Sequence, residues 1–151
     1  MGNQNLKFKP IYLGQCIIRY QVPLDIFTSI NQIYEQNYNS LAPANGQLVG
    51  KIEKEHSLFY HGKDQTKMKN HNFLPRNVTD YFMQVFKHYL TFNNIKDYDT
   101  HLNSIWVNEM KQHEYNPAHI HKGMLFTGLS SVMILKLPST YGKEYSKEDV
   151  P

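Results

Sequence analysis

The apolar positions of this chain change period several times, and each change predicts an element. From Ile11 to Tyr20, "IYLGQCIIRY", β-branched and aromatic residues cluster and predict a strand interrupted by Gly14. In "VPLDIFTSINQIYEQNY" the residues Ile26, Phe27, Ile30, Ile33 and Tyr34 recur at helical spacing, with Pro23 and Asp25 suited to the start and Asn39-Ser40 to the end. "NSLAPANGQ" is rich in turn formers and reads as a loop. Leu48, Val49 and Ile52 then predict a short strand or an extended crossing, and the polar stretch 61–77 predicts a loop.

A second helix is predicted over "NVTDYFMQVFKHYLTF", residues 77–92. There Val78, Tyr81, Phe82, Val85, Phe86, Tyr89 and Leu90 form one broad apolar stripe. Asn77 or Thr79 is the expected cap, and Asp80 suits the positive end of the helix dipole. The stripe reads as core, and His88 beside it as a part-buried, hydrogen-bonded histidine.

Beyond residue 97 the period becomes two. Over 101–112, "HLNSIWVNEMKQ", one face carries Leu102, Ser104, Trp106, Asn108 and Met110, and the other Ile105, Val107 and Glu109. "AHIHK" reads as a short extended piece, and "SSVMILKLP", residues 130–138, as the strongest strand of the chain, ended by Pro138. The expected organisation is a single α+β domain over 1–151, helix-rich over about 1–97 and β over about 98–151.

Composition narrows the function classes. Apolar residues are 40% and charged residues 19% of 151, which fits a globular domain. The formal charge of +3 is mild and the lysines are scattered, so a nucleic-acid surface is not expected. No run of apolar residues is long enough for a spanning helix, and "MGNQNLKFKP" lacks the apolar centre of a secretory signal. One cysteine, Cys16, excludes an internal disulfide and a cysteine-based zinc site, and reads as a small core residue. The expected setting is cytoplasmic.

Candidate chemistry gathers in "EYNPAHIHKG", residues 114–123. On a strand, residues two apart project from one face with Cα atoms about 6.6 Å apart. The imidazoles of His119 and His121 can then share one metal ion at ~2.1 Å each, while Ile120 anchors the other side. Asn116-Pro117 makes the turn before them. A surface pair of histidines is the alternative reading of the same spacing. His113 or His101 could supply a third ligand, and His113, His119 and His121 together could form a zinc site.

The run "SIWVNEMKQHEYNPAHIHKG…LSSVMILKLP" resembles a group of iron(II)- and 2-oxoglutarate-dependent oxygenases commonly encoded by phages of aquatic bacteria. The likeness rests on Trp106, Asn108, Asn116, Pro117, His119, His121, Gly123, Leu129, Ser130 and Leu135-Lys136-Leu137-Pro138. Residues 47–58, "QLVGKIEKEHSL", also resemble that group's Leu-x-Gly-x-Ile-x-x-Glu stretch.

The resemblance implies a double-stranded β-helix, or jelly roll, with flanking helices. It implies Fe(II) held by His119 and His121 with open positions for a co-substrate, and a place for Asn108 in cofactor binding. No catalytic residue beyond the metal ligands is implied. The activity implied is hydroxylation of a substrate with decarboxylation of 2-oxoglutarate to succinate, using O2; the primary substrate stays open. The family's later histidine and arginine have no counterpart here, since the last histidine is His121 and the arginines are Arg19 and Arg76. The expected jelly roll is therefore incomplete at its C-terminal side. Further residues, or a partner chain that could be a second copy, would complete the sheet. The competing expectations are a non-catalytic phage structural or assembly protein that keeps the scaffold, and a histidine-based metal-binding module.

Overall fold

A computed structural model describes residues 7–13, 15–44, 50–60, 72–117, 128–139 and 141. The chain forms two compact units, Met1–Ile120 and His121–Pro151. In the first, the element order is β1 (Phe8–Leu13), β2 (Gln15–Tyr20), α1 (Leu24–Asn37) with a 3-10 turn at Tyr38–Ser40, β3 (Lys54–Tyr60), α2 (Arg76–Phe92) and β4 (Ser104–Glu109).

The segment expected as one strand over 11–20 is two. β1 and β2 pair antiparallel with Phe8 opposite Tyr20 and Leu13 opposite Gln15, so the two strands fold back on each other. A two-residue period survives such a reversal, which is why the pattern read as one interrupted strand. On one face of this hairpin Phe8 and Tyr20 meet α2. The Phe8 ring sits 4.6 Å from His88 and 5.8 Å from Phe92, edge to face. Tyr89 donates its hydroxyl to the Cys16 carbonyl at 2.8 Å. His88 is part-buried and bonded through Nδ1 to the Tyr20 hydroxyl at 2.8 Å, as its place in the stripe suggested. Cys16 is half-buried and its thiol is free.

Both helices form where their apolar spacing predicts. α1 buries Ile26 and Ile30, and α2 buries Val78, Tyr81, Val85 and Leu90. Pro23 and Pro75 stand at the two N-caps, and neither helix start has a side-chain cap. The capping expected from Asn77 or Thr79 is absent because α2 begins at Arg76, one residue earlier. Thr79 instead donates to the Arg76 carbonyl. Proline is well placed at a helix start, where its missing N–H leaves no intrahelical bond unmade.

β3 makes backbone hydrogen bonds along both of its edges. β4 runs antiparallel along one edge, pairing Lys54 with Glu109, Glu55 with Asn108, His56 with Val107 and Ser57 with Trp106. A bulge between Ser57 and Phe59 shifts the register by the extra residue Leu58, which is fully buried. On the other edge, Ser57 donates its N–H to the Ala42 carbonyl, Ala44 to Glu55, and Phe73 to Leu58. β4 alternates as its sequence predicted, with Trp106 and Asn108 on one face and Ile105, Val107 and Glu109 on the other. Its regular part, 104–109, is shorter than the predicted 101–112.

In the second unit, the stretch 130–138 departs from expectation. It is described without a hydrogen-bonded ladder, and Val132 (93% exposed) and Ile134 (61%) face solvent. Strand propensity is a preference for a pleated, half-buried surface, and it yields a strand only where a neighbour supplies the other half of the ladder. Among the described residues no segment pairs with it. Among the described residues, too, no helix is long and apolar enough to cross a membrane.

Candidate functional site

His119 and His121 lie outside the described residues, as does Gly123. The structure places the stretch that leads to the histidines, and it places Asn108.

Residues 50–53 and 111–117 form one corner. Lys51 and Tyr115 exchange two backbone hydrogen bonds, at 2.9 and 3.0 Å. This lays Tyr115-Asn116-Pro117 directly over Gly50. A Cβ at position 50 would stand 2.2 Å from the Tyr115 carbonyl oxygen and 2.9 Å from both Asn116 Cα and Pro117 Cδ. Only glycine permits that approach. Glu114 staples the corner from the other side, because its carboxylate accepts the backbone N–H of Lys111 at 2.7 Å and of Glu53 at 3.0 Å. These two N–H groups hold its carboxyl below the usual range. Lys111 Nζ reaches Glu53 at 2.6 Å on the surface and depresses the Glu53 carboxyl in turn. The turn over 111–114 closes with the Glu114 N–H on the Lys111 carbonyl at 3.1 Å, and His113 takes a positive φ of 67° within it. His113 and His101 are both exposed. Among the described residues no three His, Cys, Asp or Glu side chains are grouped to hold a metal ion.

The β3–β4 pair sorts its polar residues onto two faces. One carries Glu55 and Ser57 from β3 with Trp106 and Asn108 from β4, since directly opposed residues share a face. Glu55 and Ser57 are each only 5% exposed. Burial pushes the Glu55 carboxyl up, and a hydrogen bond from the Asn108 side chain opposes that shift without cancelling it. The other end of the Asn108 amide, Oδ1, is shut off from solvent and has no hydrogen-bond partner.

The opposite face meets α1 through a polar cluster. Tyr34 donates to Glu109 Oε1 at 2.8 Å and lies 2.9 Å from His56 Nδ1. A hydroxyl has one proton, so His56 Nδ1 must be the donor in the second bond. His56 Nδ1 therefore carries a hydrogen. Tyr38 donates to Glu109 Oε2 at 3.4 Å and accepts from Lys54 Nζ at 2.6 Å. Lys54 also lies 5.1 Å from the Tyr38 ring centroid. Burial, then the bond to Glu109, pushes the Tyr34 hydroxyl well above its ordinary value. This cluster has no counterpart in the sequence reading. Its signals were Tyr34 on α1 and Tyr38 four residues on, at the start of the 3-10 turn, and a carboxylate, Glu109, on the strand face otherwise made by Ile105 and Val107.

The chain matches no protein-family model, no curated protein and no solved structure.

Proposed function

We propose that this chain carries the core of a 2-oxoglutarate- and Fe(II)-dependent dioxygenase of jelly-roll type, which hydroxylates a substrate while 2-oxoglutarate is decarboxylated to succinate. The observation that carries the reading is the seat of Asn116-Pro117 on Gly50. Gly50 belongs to the Leu-x-Gly-x-Ile-x-x-Glu stretch and Asn116-Pro117 to the turn before the His-x-His pair. These two stretches, far apart in the chain, resemble the same family, and here they form a single corner. Glu55 of the first stretch likewise faces Asn108 of the Trp-x-Asn stretch across β3 and β4.

The residues also suit the co-substrate. 2-Oxoglutarate, with two carboxylates and a keto oxygen, offers only acceptors, so it would meet Asn108 through an Nδ2 N–H and not through Oδ1. In this reading His119 and His121 hold the metal, and Asn108 binds the co-substrate. Bound Fe(II) supplies the oxidative chemistry once O2 and 2-oxoglutarate are present. The corner at Gly50 and Glu114 holds the backbone as far as Pro117, two residues before His119. Trp106 adds apolar surface on the same face as Asn108.

The deciding experiment is succinate release from 2-oxoglutarate by the purified protein with Fe(II) and O2. Release is expected, with loss in His119→Ala and His121→Ala. A folded protein that binds one equivalent of Zn(II) through these histidines and releases no succinate would leave the metal-binding module. One that takes up no metal at all would leave the non-catalytic scaffold.

A further inference from the structure

We propose that the outer face of the β1–β2 hairpin is a contact surface for an anionic phospholipid membrane, on which the protein lies without crossing it.

The net charge of the chain is concentrated in this hairpin. Residues 1–24 hold three cations, Lys7, Lys9 and Arg19, and no Asp or Glu. They carry the whole formal charge of +3, because the thirteen remaining Lys and Arg equal the thirteen Asp and Glu in number. The fold brings the three together. Lys9 stands directly opposite Arg19, and the Gln21 N–H on the Lys7 carbonyl at 2.8 Å prolongs the ladder beyond Phe8 and Tyr20. Alternation therefore puts Lys7, Lys9 and Arg19 on one face, with the opposed pair Ile11 and Ile17 next along it. Neighbouring positions on that face lie about 5 Å apart across the strands and about 6.8 Å apart along them.

The other face, with Phe8 and Tyr20, is covered by α2. The cationic face is open. Lys7, Lys9 and Arg19 are exposed, as are Ile11 at 41% and Ile17 at 52%. Among the described residues no carboxylate pairs with any of the three cations. Like charges directly opposed across a ladder repel each other, and the two β-branched side chains beside them stand in water.

One partner relieves both costs, a surface that is negative and apolar at once. An anionic phospholipid layer offers phosphates and carboxylates to the lysines and arginine, and the upper acyl region to Ile11 and Ile17. Lys and Arg suit such a boundary because their long stems carry the charge away from the apolar residues beside them. A nucleic-acid backbone would meet the cations but leave Ile11 and Ile17 against a charged surface. A flat two-stranded face also matches a planar partner better than a peptide that needs a groove.

Vesicle sedimentation tests the proposal, with melting curves to establish that each variant folds. The protein is expected to bind vesicles of mixed phosphatidylcholine and phosphatidylserine, to bind pure phosphatidylcholine far less, and to be released as salt screens the charges. Lys9→Gln and Arg19→Gln should each weaken binding roughly fivefold. Ile17→Ser should weaken it too, while leaving its salt dependence in place. Arg76→Gln removes an exposed cation from the start of α2 and should leave binding unchanged. If Ile17→Ser does not fold, the Lys9 and Arg19 variants decide. Equal binding to both kinds of vesicle would overturn the proposal, as would equal losses in Arg76→Gln and Arg19→Gln. Retention by duplex DNA or RNA with none by anionic vesicles would overturn it in favour of a nucleic acid.

Discussion

Tyr34 on α1 donates its hydroxyl hydrogen to Glu109 on β4 at 2.8 Å, and that one bond leaves His56 Nδ1 as the donor in the Tyr34–His56 bond. Tyr34→Phe removes the donor to Glu109 and the acceptor for His56 Nδ1 together. It is expected to destabilise the fold by about 1–2 kcal/mol in denaturant melts. Nitrogen chemical shifts should report His56 with its proton on Nδ1 in the wild type and lose that preference in the variant. An unchanged His56 signature would disprove the proton assignment.

Gly50 tolerates no side chain while Tyr115 keeps its place. Gly50→Ala must push the Tyr115-Asn116-Pro117 backbone outward, because a Cβ would meet the carbonyl oxygen at 2.2 Å. The expected loss of stability is about 1–3 kcal/mol. Under the dioxygenase reading, Co(II) uptake by the following histidines should also weaken, followed by visible absorption. Normal stability together with normal uptake would show that the corner does not position the histidine stretch.

The Glu114 staple has a definite pH sign. Its folded-state pKa lies below the ordinary 4.5, chiefly through the N–H groups of Lys111 and Glu53. A depressed carboxyl contributes stability that is fully present above 4.5 and is lost as pH falls through the folded value. Glu114→Gln should therefore melt lower than the wild type at neutral pH, and the gap should close in acid. A gap that holds constant from neutral to acid pH would count against the staple.

Alkali tests the other interface. Burial, followed by Cys16, Tyr81 and Tyr89, pushes the Tyr20 hydroxyl up to about 12. A group whose folded pKa is raised contributes stability that is complete below its unfolded value of 10.0 and declines as pH rises towards 12. Ultraviolet titration of tyrosinate should show a late phase that disappears in Tyr20→Phe. The melting temperature should fall over the same window, and less steeply in the variant.

Much of the local structure was legible in the chain. The stripes of α1 and α2, the two faces of β4 and the part-buried, bonded state of His88 all follow from spacing, because a period states which side of an element is withdrawn from water. The corner at Gly50 was half legible. The glycine and the Asn-Pro turn each stood in a recognisable stretch, but nothing local says that one lies on the other.

By itself, then, the sequence determined where the two helices lie and which faces of α1, α2 and β4 are apolar, since both are properties of a few neighbouring residues. Only the tertiary structure decided that β1 and β2 fold back on each other, that Glu55 is buried opposite Asn108, and that Tyr34 shares Glu109 with Tyr38. It also decided that 130–138, for all its strand propensity, carries no ladder among the described residues. Periodicity reports burial without naming the partner, and pairing, register and buried charge depend on residues distant in the chain.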